Sequence, residues 1–381
     1  MASLGLFIFV IGLVVLIKGA DLFVEAAAKI SRLLGVSPFV IGLTLVAIGT
    51  SLPELATSIT ASFSGNPDLI MGTIVGSNIA NISFIVAITI LLGGAVKVDK
   101  KIFESDAFIM FLASILLFYF SLNGVVGFFE GLFFLVAFIA YMALLFKLKP
   151  RFEQILDFQQ YLKIIYGMGL FLLNLKMYRE IVKHGLNPAT YRGLLEGDKE
   201  DDFEGLFGKK LEKKRTKEFI EQYRSKLISR LLKQLIIFFF AVIGVWLGAK
   251  LTVDGAVDIA SSLNISEEVI ALTAIAVGTS LPELSVSLSS VRKGFDSIFL
   301  GNIIGSNTSN ILLVLGISAI IRPIQFSLAS FVLPLAIMII TTTALMVSIY
   351  GDWKISRLEA TAFLILYGVF LYLTFFSAAA G

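Results

Sequence analysis

Residues Phe39–Thr60 read FVIGLTLVAIGTSLPELATSIT, and residues Glu268–Ser289 read EVIALTAIAVGTSLPELSVSLS. The stretch GTSLPEL stands unchanged at Gly49–Leu55 and at Gly278–Leu284, an offset of 229 positions. The same offset superposes Gly76-Ser77-Asn78 on Gly305-Ser306-Asn307, and Asn81 on Asn310. A period this long is not that of a solenoid built from short units. It makes the chain two related halves.

Around these stretches the sequence is strongly apolar. Of 381 residues, 57% are hydrophobic and 15% charged, against about 25% charged in a soluble domain. The chain has no cysteine, which excludes disulfides, iron–sulfur clusters and thiolate zinc sites. A single histidine excludes a multi-histidine metal site. Apolar runs long enough to cross a bilayer fall near 4–20, 39–62, 69–95, 105–122 and 128–147, then near 235–252, 268–291, 297–320, 326–349 and 358–377. The first run has no basic start and no small-residue cleavage site, so it reads as a membrane helix and not a removed signal. The expectation is an all-α polytopic membrane protein of ten transmembrane helices. They divide into two five-helix halves, 1–149 and 235–381, with a long loop, 150–234, between them. Five is odd, so the second half enters the membrane from the opposite side: the repeats are inverted.

The loop charges orient this arrangement. Lys29, Arg32, Lys97, Lys100, Lys101, Arg292, Lys293, Lys354 and Arg357 fall in alternate connections. The turns Gly65–Asp68, Ser121–Gly127 and Asp254–Glu267 carry no lysine or arginine. Arg322 is the main exception, and Lys250 is placed to snorkel to that side. The positive-inside rule puts both termini outside and the 150–234 loop in the cytoplasm, with the cell membrane as the expected location. Within the loop, mixed charges over 199–233 suit a solvated helix laced with ion pairs, whose basic cluster could meet lipid headgroups. Residues 161–175 are apolar but short and contain Lys163, which favours an interfacial helix. His184 reads as a surface residue.

Glu54 and Glu283 are the carboxylates deep within spans. Such groups cost about 3 kcal/mol or more to insert and mark functional sites. Matched positions in inverted repeats converge near the midplane, where two unpaired carboxylates repel each other and one takes up a proton. A bound cation removes both costs. Pro53 and Pro282 lack an N–H and interrupt the helical ladder, freeing carbonyls such as those of Thr50 and Thr279. Free carbonyls at membrane depth are tolerated where they line a cavity. With the hydroxyls of Thr50, Ser51, Thr279 and Ser280 and the amides of Asn81 and Asn310, the donor set is all oxygen. That suits hard ions such as Ca²⁺ and Na⁺, and Mg²⁺ less, because it dehydrates reluctantly. A site near −2 is neutralised by one Ca²⁺, two Na⁺ or two protons, and competition among them is a sufficient basis for exchange.

Ser77 and Asn81 stand four apart and share a helix face, as do Ser306 and Asn310. Gly72, Gly76, Gly301 and Gly305 form small-xxx-small pairs that bring helices close. Asp21, Glu25, Asp254 and Asp258 lie near span ends and read as interfacial.

Two inverted copies of GTSLPE, each followed by GSN-x-x-N, resemble the cation/Ca²⁺ exchanger superfamily, and within it the prokaryotic sodium/calcium exchanger family. The likeness covers 1–149 and 235–381. It implies that the ion ligands are Thr50, Ser51, Glu54, Ser77 and Asn81 in the first half. In the second half they are Thr279, Ser280, Glu283, Ser306 and Asn310. It implies Na⁺-driven Ca²⁺ movement, with spans 1 and 6 sliding across a static core. Residue 310 is Asn where several branches carry Asp, which removes a third negative charge and weakens any K⁺ coupling. The loop is long for a prokaryotic member and lacks clustered Asp-x-Asp runs. The expected partners are the lipid bilayer, Ca²⁺ and Na⁺ as transported ions. No organic cofactor, nucleic acid or enzymatic activity is expected, and protein partners are unspecified. The nearest rival is a proton/Ca²⁺ antiporter using the same site, although the residues around the motif glutamate lean toward sodium. An intramembrane aspartyl protease needs a G-x-G-D context that is absent, and a channel differs in showing no counter-ion dependence.

Overall fold

Proline and small polar residues decide where the central helices begin. The computed structural model describes residues 2–34, 36–98, 100–148, 213–262 and 278–379. The expected interfacial helix at 161–175, His184, the part of the expected charged helix that precedes Lys213, and residues 268–277 of the expected span 268–291 lie outside them. Helix α1 is Ala2–Leu34. Ser37 then caps the next helix by accepting from the Val40 amide, with Pro38 at its first position, where a missing N–H costs nothing. The following span is a bent pair, α2 (Pro38–Thr50) and α3 (Leu52–Ser64), meeting at 46°. Ser51 sits at the break with φ −82° and ψ 7°. Pro53, on the first turn of α3, accounts for it, because it cannot donate back into α2. Gly65, at φ +70°, closes α3 in the left-handed conformation that glycine adopts without penalty. Asn66 caps α4 (Pro67–Gly93) by accepting from the Leu69 amide.

The remaining helices among the described residues are α5 (Lys100–Ser121), α6 (Phe128–Leu148), α7 (Lys213–Ser262), α8 (Leu281–Arg292), α9 (Asp296–Ile321), α10 (Leu328–Asp352) and α11 (Arg357–Ala379). Among the described residues seven helices are long and apolar enough to cross a membrane, or eight if the bent pair counts as one span. The chain is a mostly helical, polytopic membrane protein.

Among the described residues, four two-residue strands lie outside the helices: β1 (Val96–Lys97), β2 (Val125–Val126), β3 (Ile324–Gln325) and β4 (Lys354–Ile355). Val96 pairs with Ile355, and Val125 with Gln325, both antiparallel. Each ladder therefore clasps a connection of one half to a connection of the other.

Helices α4 and α9 form the centre: 78% and 83% of their apolar windows are buried, against 17% for α11. Their glycines permit this. A Cβ at Gly301 would stand 2.4 Å from the Phe39 carbonyl oxygen, and one at Gly305 would stand 2.5 Å from that of Leu43. Helix α9 thus lies directly against the backbone of α2. Helices α1 and α7 form a separate close pair. A Cβ at Gly248 would meet the Leu16 amide at 2.3 Å, and one at Gly12 the Thr252 amide at 2.4 Å. The pair shares a core of Leu16, Phe23, Val24, Phe238 and Val245 with Ile41, Val46 and Val286 of the central helices. Helix α7 runs unbroken from the charged segment at Lys213 into this apolar pair.

Candidate ion-binding site

Glu54 and Glu283 each open a helix, α3 and α8, one residue after its proline. The first turn of a helix favours a negative charge, because its amides point outward unpaired. Both side chains are 1% exposed, and the two lie close enough for their charges to interact. Ser77 Oγ on α4 donates to Glu54 Oε1 at 3.4 Å. Glu54 Oε2 and both Glu283 oxygens make no hydrogen bond among the described residues. Three unpaired carboxylate oxygens held away from water are costly without a counter-charge.

Thr50 ties the halves together across this site. Its Oγ1 donates to Asn302 Oδ1 at 3.0 Å and lies 3.2 Å from both Ser306 Oγ and the Ala47 carbonyl oxygen. A hydroxyl that gives its proton to another group turns its lone pairs elsewhere, which is the orientation a cation requires. Ser51 Oγ is buried at the helix break and unpartnered, and Ser280 is buried at the corresponding break before α8. Thr279, its neighbour, is half-buried. Both Asn81 amide atoms lack partners, while Asn310 donates through Nδ2 to Asn78 Oδ1 at 3.0 Å and leaves Oδ1 unpaired. Asn81 and Asn310 each start a π-helical turn, Asn81–Ile85 and Asn310–Leu315. Such wide turns recur at functional sites.

The structure adds residues that the sequence reading passed over. Asn302 continues the Ser306–Asn310 stripe one turn back, a spacing visible in the sequence. Its counterpart in the first half is Thr73, so the repeat did not flag it. Ser58 and Ser287 stand one turn beyond the two glutamates at the same 229-residue offset. Both are fully buried with unpartnered Oγ atoms. Asp106, buried near the start of a span, is held by Tyr141 Oη at 3.1 Å and Ser105 Oγ at 3.4 Å.

Beside the site a cavity of about 400 Å³ separates the α1–α7 pair from the broken helices. Phe23, Val242 and Trp246 line one wall, and Thr50, Pro53 and Pro282 the other. The lining is mostly apolar, and of the candidate ligands Thr50 is the one that reaches it.

The chain is similar to known proteins along nearly its whole length. The chain is 35% identical to the sodium/calcium exchanger MaX1 of Methanosarcina acetivorans, over 99% of its own length and all of the relative's. It is 30% identical to the membrane protein MJ0091 of Methanocaldococcus jannaschii, over 96% of this chain and 97% of that one. Its structure matches the sodium-calcium exchanger NCX_Mj soaked with 10 mM Na⁺ and zero Ca²⁺ at a TM-score of 0.69, with 28% identity over 98% of this chain and 99% of the other. The family described as sodium/calcium exchanger protein matches residues 4–147 and again 233–376. The two matches start 229 residues apart, the offset of the internal repeat. The chain is a member of the sodium/calcium exchanger family.

Proposed function

We propose that this protein is a secondary active antiporter that exchanges Na⁺ for Ca²⁺ by alternating access. Glu54 and Glu283 supply the negative charge of the ion site. Thr50, Thr279, Ser51, Ser280, Ser77, Ser306, Asn81 and Asn310 supply neutral oxygens. One Ca²⁺, or two or more Na⁺, neutralises the carboxylates, so the two ions compete for one set of ligands. With the site empty, two buried charges oppose the switch between faces, which suppresses leak. In this reading ten spans form two inverted five-helix repeats, and the ions bind where they meet. Both termini lie outside, the 150–234 loop lies in the cytoplasm, and the membrane is that of the cell.

One observation carries the reading. Two buried glutamates, each opening a proline-broken helix at matched positions of a repeat, present three oxygens without a hydrogen-bond partner among the described residues. The membership just described supports sodium as the counter-ion over protons.

The test is ⁴⁵Ca²⁺ uptake into proteoliposomes loaded with Na⁺, compared with uptake under a proton gradient alone, for the wild type and Glu283→Gln. Uptake driven by outward Na⁺ and lost in the variant is the expected result. Uptake driven only by protons transfers the same site to a proton/Ca²⁺ antiporter. Uptake indifferent to both gradients removes exchange altogether.

A further inference from the structure

Asn78 and Asn307 occupy the same position in the two halves. Asn78 Nδ2 donates to the Asn307 carbonyl oxygen at 3.2 Å, across a sequence separation of 229 residues. A residue that touches its own repeat counterpart lies on the axis relating the two halves.

The contact there is one-sided. The mirrored bond, from Asn307 Nδ2 to the Asn78 carbonyl, is not made. Asn307 Nδ2 instead turns back to the Ile303 carbonyl of its own helix at 2.7 Å. The asymmetry continues into the ion site. Asn310 Nδ2 donates to Asn78 Oδ1 at 3.0 Å, but its mirror, Asn81 Nδ2 to Asn307 Oδ1, is missing. Those two atoms are buried and have no partner among the described residues.

Amide chemistry makes this consequential. An asparagine side chain has one donating end and one accepting end. The Asn307 carbonyl accepts only, so it fixes the Asn78 nitrogen. Asn78 Oδ1 then faces Asn310 and selects its nitrogen. Asn310 is left with its oxygen, unpartnered, as the end available to a cation. No such chain orients Asn81.

We propose that Asn78 and Asn307 form an amide switch on this axis: Asn78 orients Asn310 in the state seen here, and Asn307 orients Asn81 in the opposite-facing state. The inference rests on the alternating-access reading above. Inverted repeats are related by a pseudo-two-fold axis in the membrane plane, so with the core backbone static the opposite-facing state exchanges the side-chain conformations of the two halves. Asn307 then donates across the axis and accepts from Asn81, while Asn78 folds back onto its own helix. The two asparagines are positioning residues that act on the ion through their neighbours. Each state keeps one amide oxygen aimed and one amide loose.

The test uses membrane vesicles of both sidedness, right-side-out and inverted, holding wild type, Asn78→Ala or Asn307→Ala. The apparent KM for Ca²⁺ in Na⁺-driven ⁴⁵Ca²⁺ flux is measured at each face. The expected result is a KM raised about fivefold, the scale of one lost hydrogen bond, at one face for Asn78→Ala and at the other face for Asn307→Ala. In an Asn310→Ala background, Asn78→Ala should add nothing. Equal effects of a variant at both faces, effects of both variants at the same face, or unchanged KM values with an active wild type overturn the switch and leave exchange standing. A wild type without Na⁺-driven flux overturns both. Serine variants at the two positions repeat the comparison if the alanine variants fail to accumulate in the membrane.

Discussion

Lys293 Nζ stands 2.7 Å from Glu25 Oε1 and 3.8 Å from Asp21 Oδ1, so the turn after α8 holds helix α1 by its charges. Ser289 Oγ adds a hydrogen bond to Asp21 at 2.7 Å. These contacts join the α1–α7 pair to the central helices through the C-terminal half of α1. The Glu25 hydrogen bond, helped by the charges of Asp21 and Glu25, raises the Lys293 pKa above its ordinary 10.5. Because the folded value is raised, the lysine's contribution is complete below its ordinary pKa and is lost only as pH climbs through the raised one. The tether is therefore constant at neutral and mildly alkaline pH.

Glu25→Gln should remove most of that tether. A partly exposed pair is worth about 0–1 kcal/mol, so thermal stability in detergent should fall little. If α1 moves against the centre during exchange, the barrier to leaving this state drops by the same amount, and turnover rises up to about fivefold. Stopped-flow Ca²⁺ flux at pH 7.5 would measure it. An unchanged or slower rate removes the tether from the transport cycle.

The two glutamates should not be equivalent to any other pair of polar residues. Glu54→Gln and Glu283→Gln each leave one charge to meet a divalent ion in a dry site. Removing one partner of a buried charge interaction costs about 3–5 kcal/mol, which predicts a Ca²⁺ affinity lower by at least a hundredfold. Calorimetric titration of the purified protein reads this directly. A change of less than about tenfold, or 1.4 kcal/mol, would move the ion elsewhere.

The glutamates were legible because the sequence states them twice, in a context where a carboxylate is expensive. The break between α2 and α3 was legible from Pro53, whose chemistry acts locally. Other features depend on tertiary neighbours. Asn302 meets Thr50 from the opposite half, and nothing local distinguishes it from an asparagine that packs a helix. Ser58 and Ser287 repeat faithfully, but serines in membrane helices usually bond back to their own turn, so the repeat alone did not mark them. The run of α7 from Lys213 into the membrane was hidden because charge density locates the membrane boundary, which a helix can cross without interruption. The direction in which the Asn78 amide points is set by a carbonyl 229 residues away.

Gly301 and Gly305 test the packing of the centre. An added Cβ would fall 2.4 Å from one backbone oxygen and 2.5 Å from another, and backbone cannot swing aside as a flexible side chain can. Gly301→Ala should cost about 1–3 kcal/mol, the usual penalty of overpacking. Gly368, exposed on α11 with open space around it, is the control, because Gly→Ala there favours the helix. Scanning fluorimetry in detergent should show Gly301→Ala melting below wild type and Gly368→Ala at or above it. The reverse order would mean that α9 and α2 are not in backbone contact.

Asn310→Asp tests how charge sets the exchange ratio. The substitution adds a third carboxylate and removes the Nδ2 donor that now meets Asn78 Oδ1 at 3.0 Å. A site of two negative charges is neutralised by about two Na⁺, and one of three charges calls for about three. The Hill coefficient for Na⁺ inhibition of Ca²⁺ binding should therefore rise by up to about one unit. Ca²⁺ alone would no longer neutralise the site, so its binding should become steeper in pH as a proton makes up the balance. Asn310→Ala, which loses the amide without adding charge, should weaken both ions and leave the Hill coefficient as it is. If Asn310→Asp behaves like Asn310→Ala, residue 310 does not face the ion, and the route by which Asn78 reaches the site falls with it.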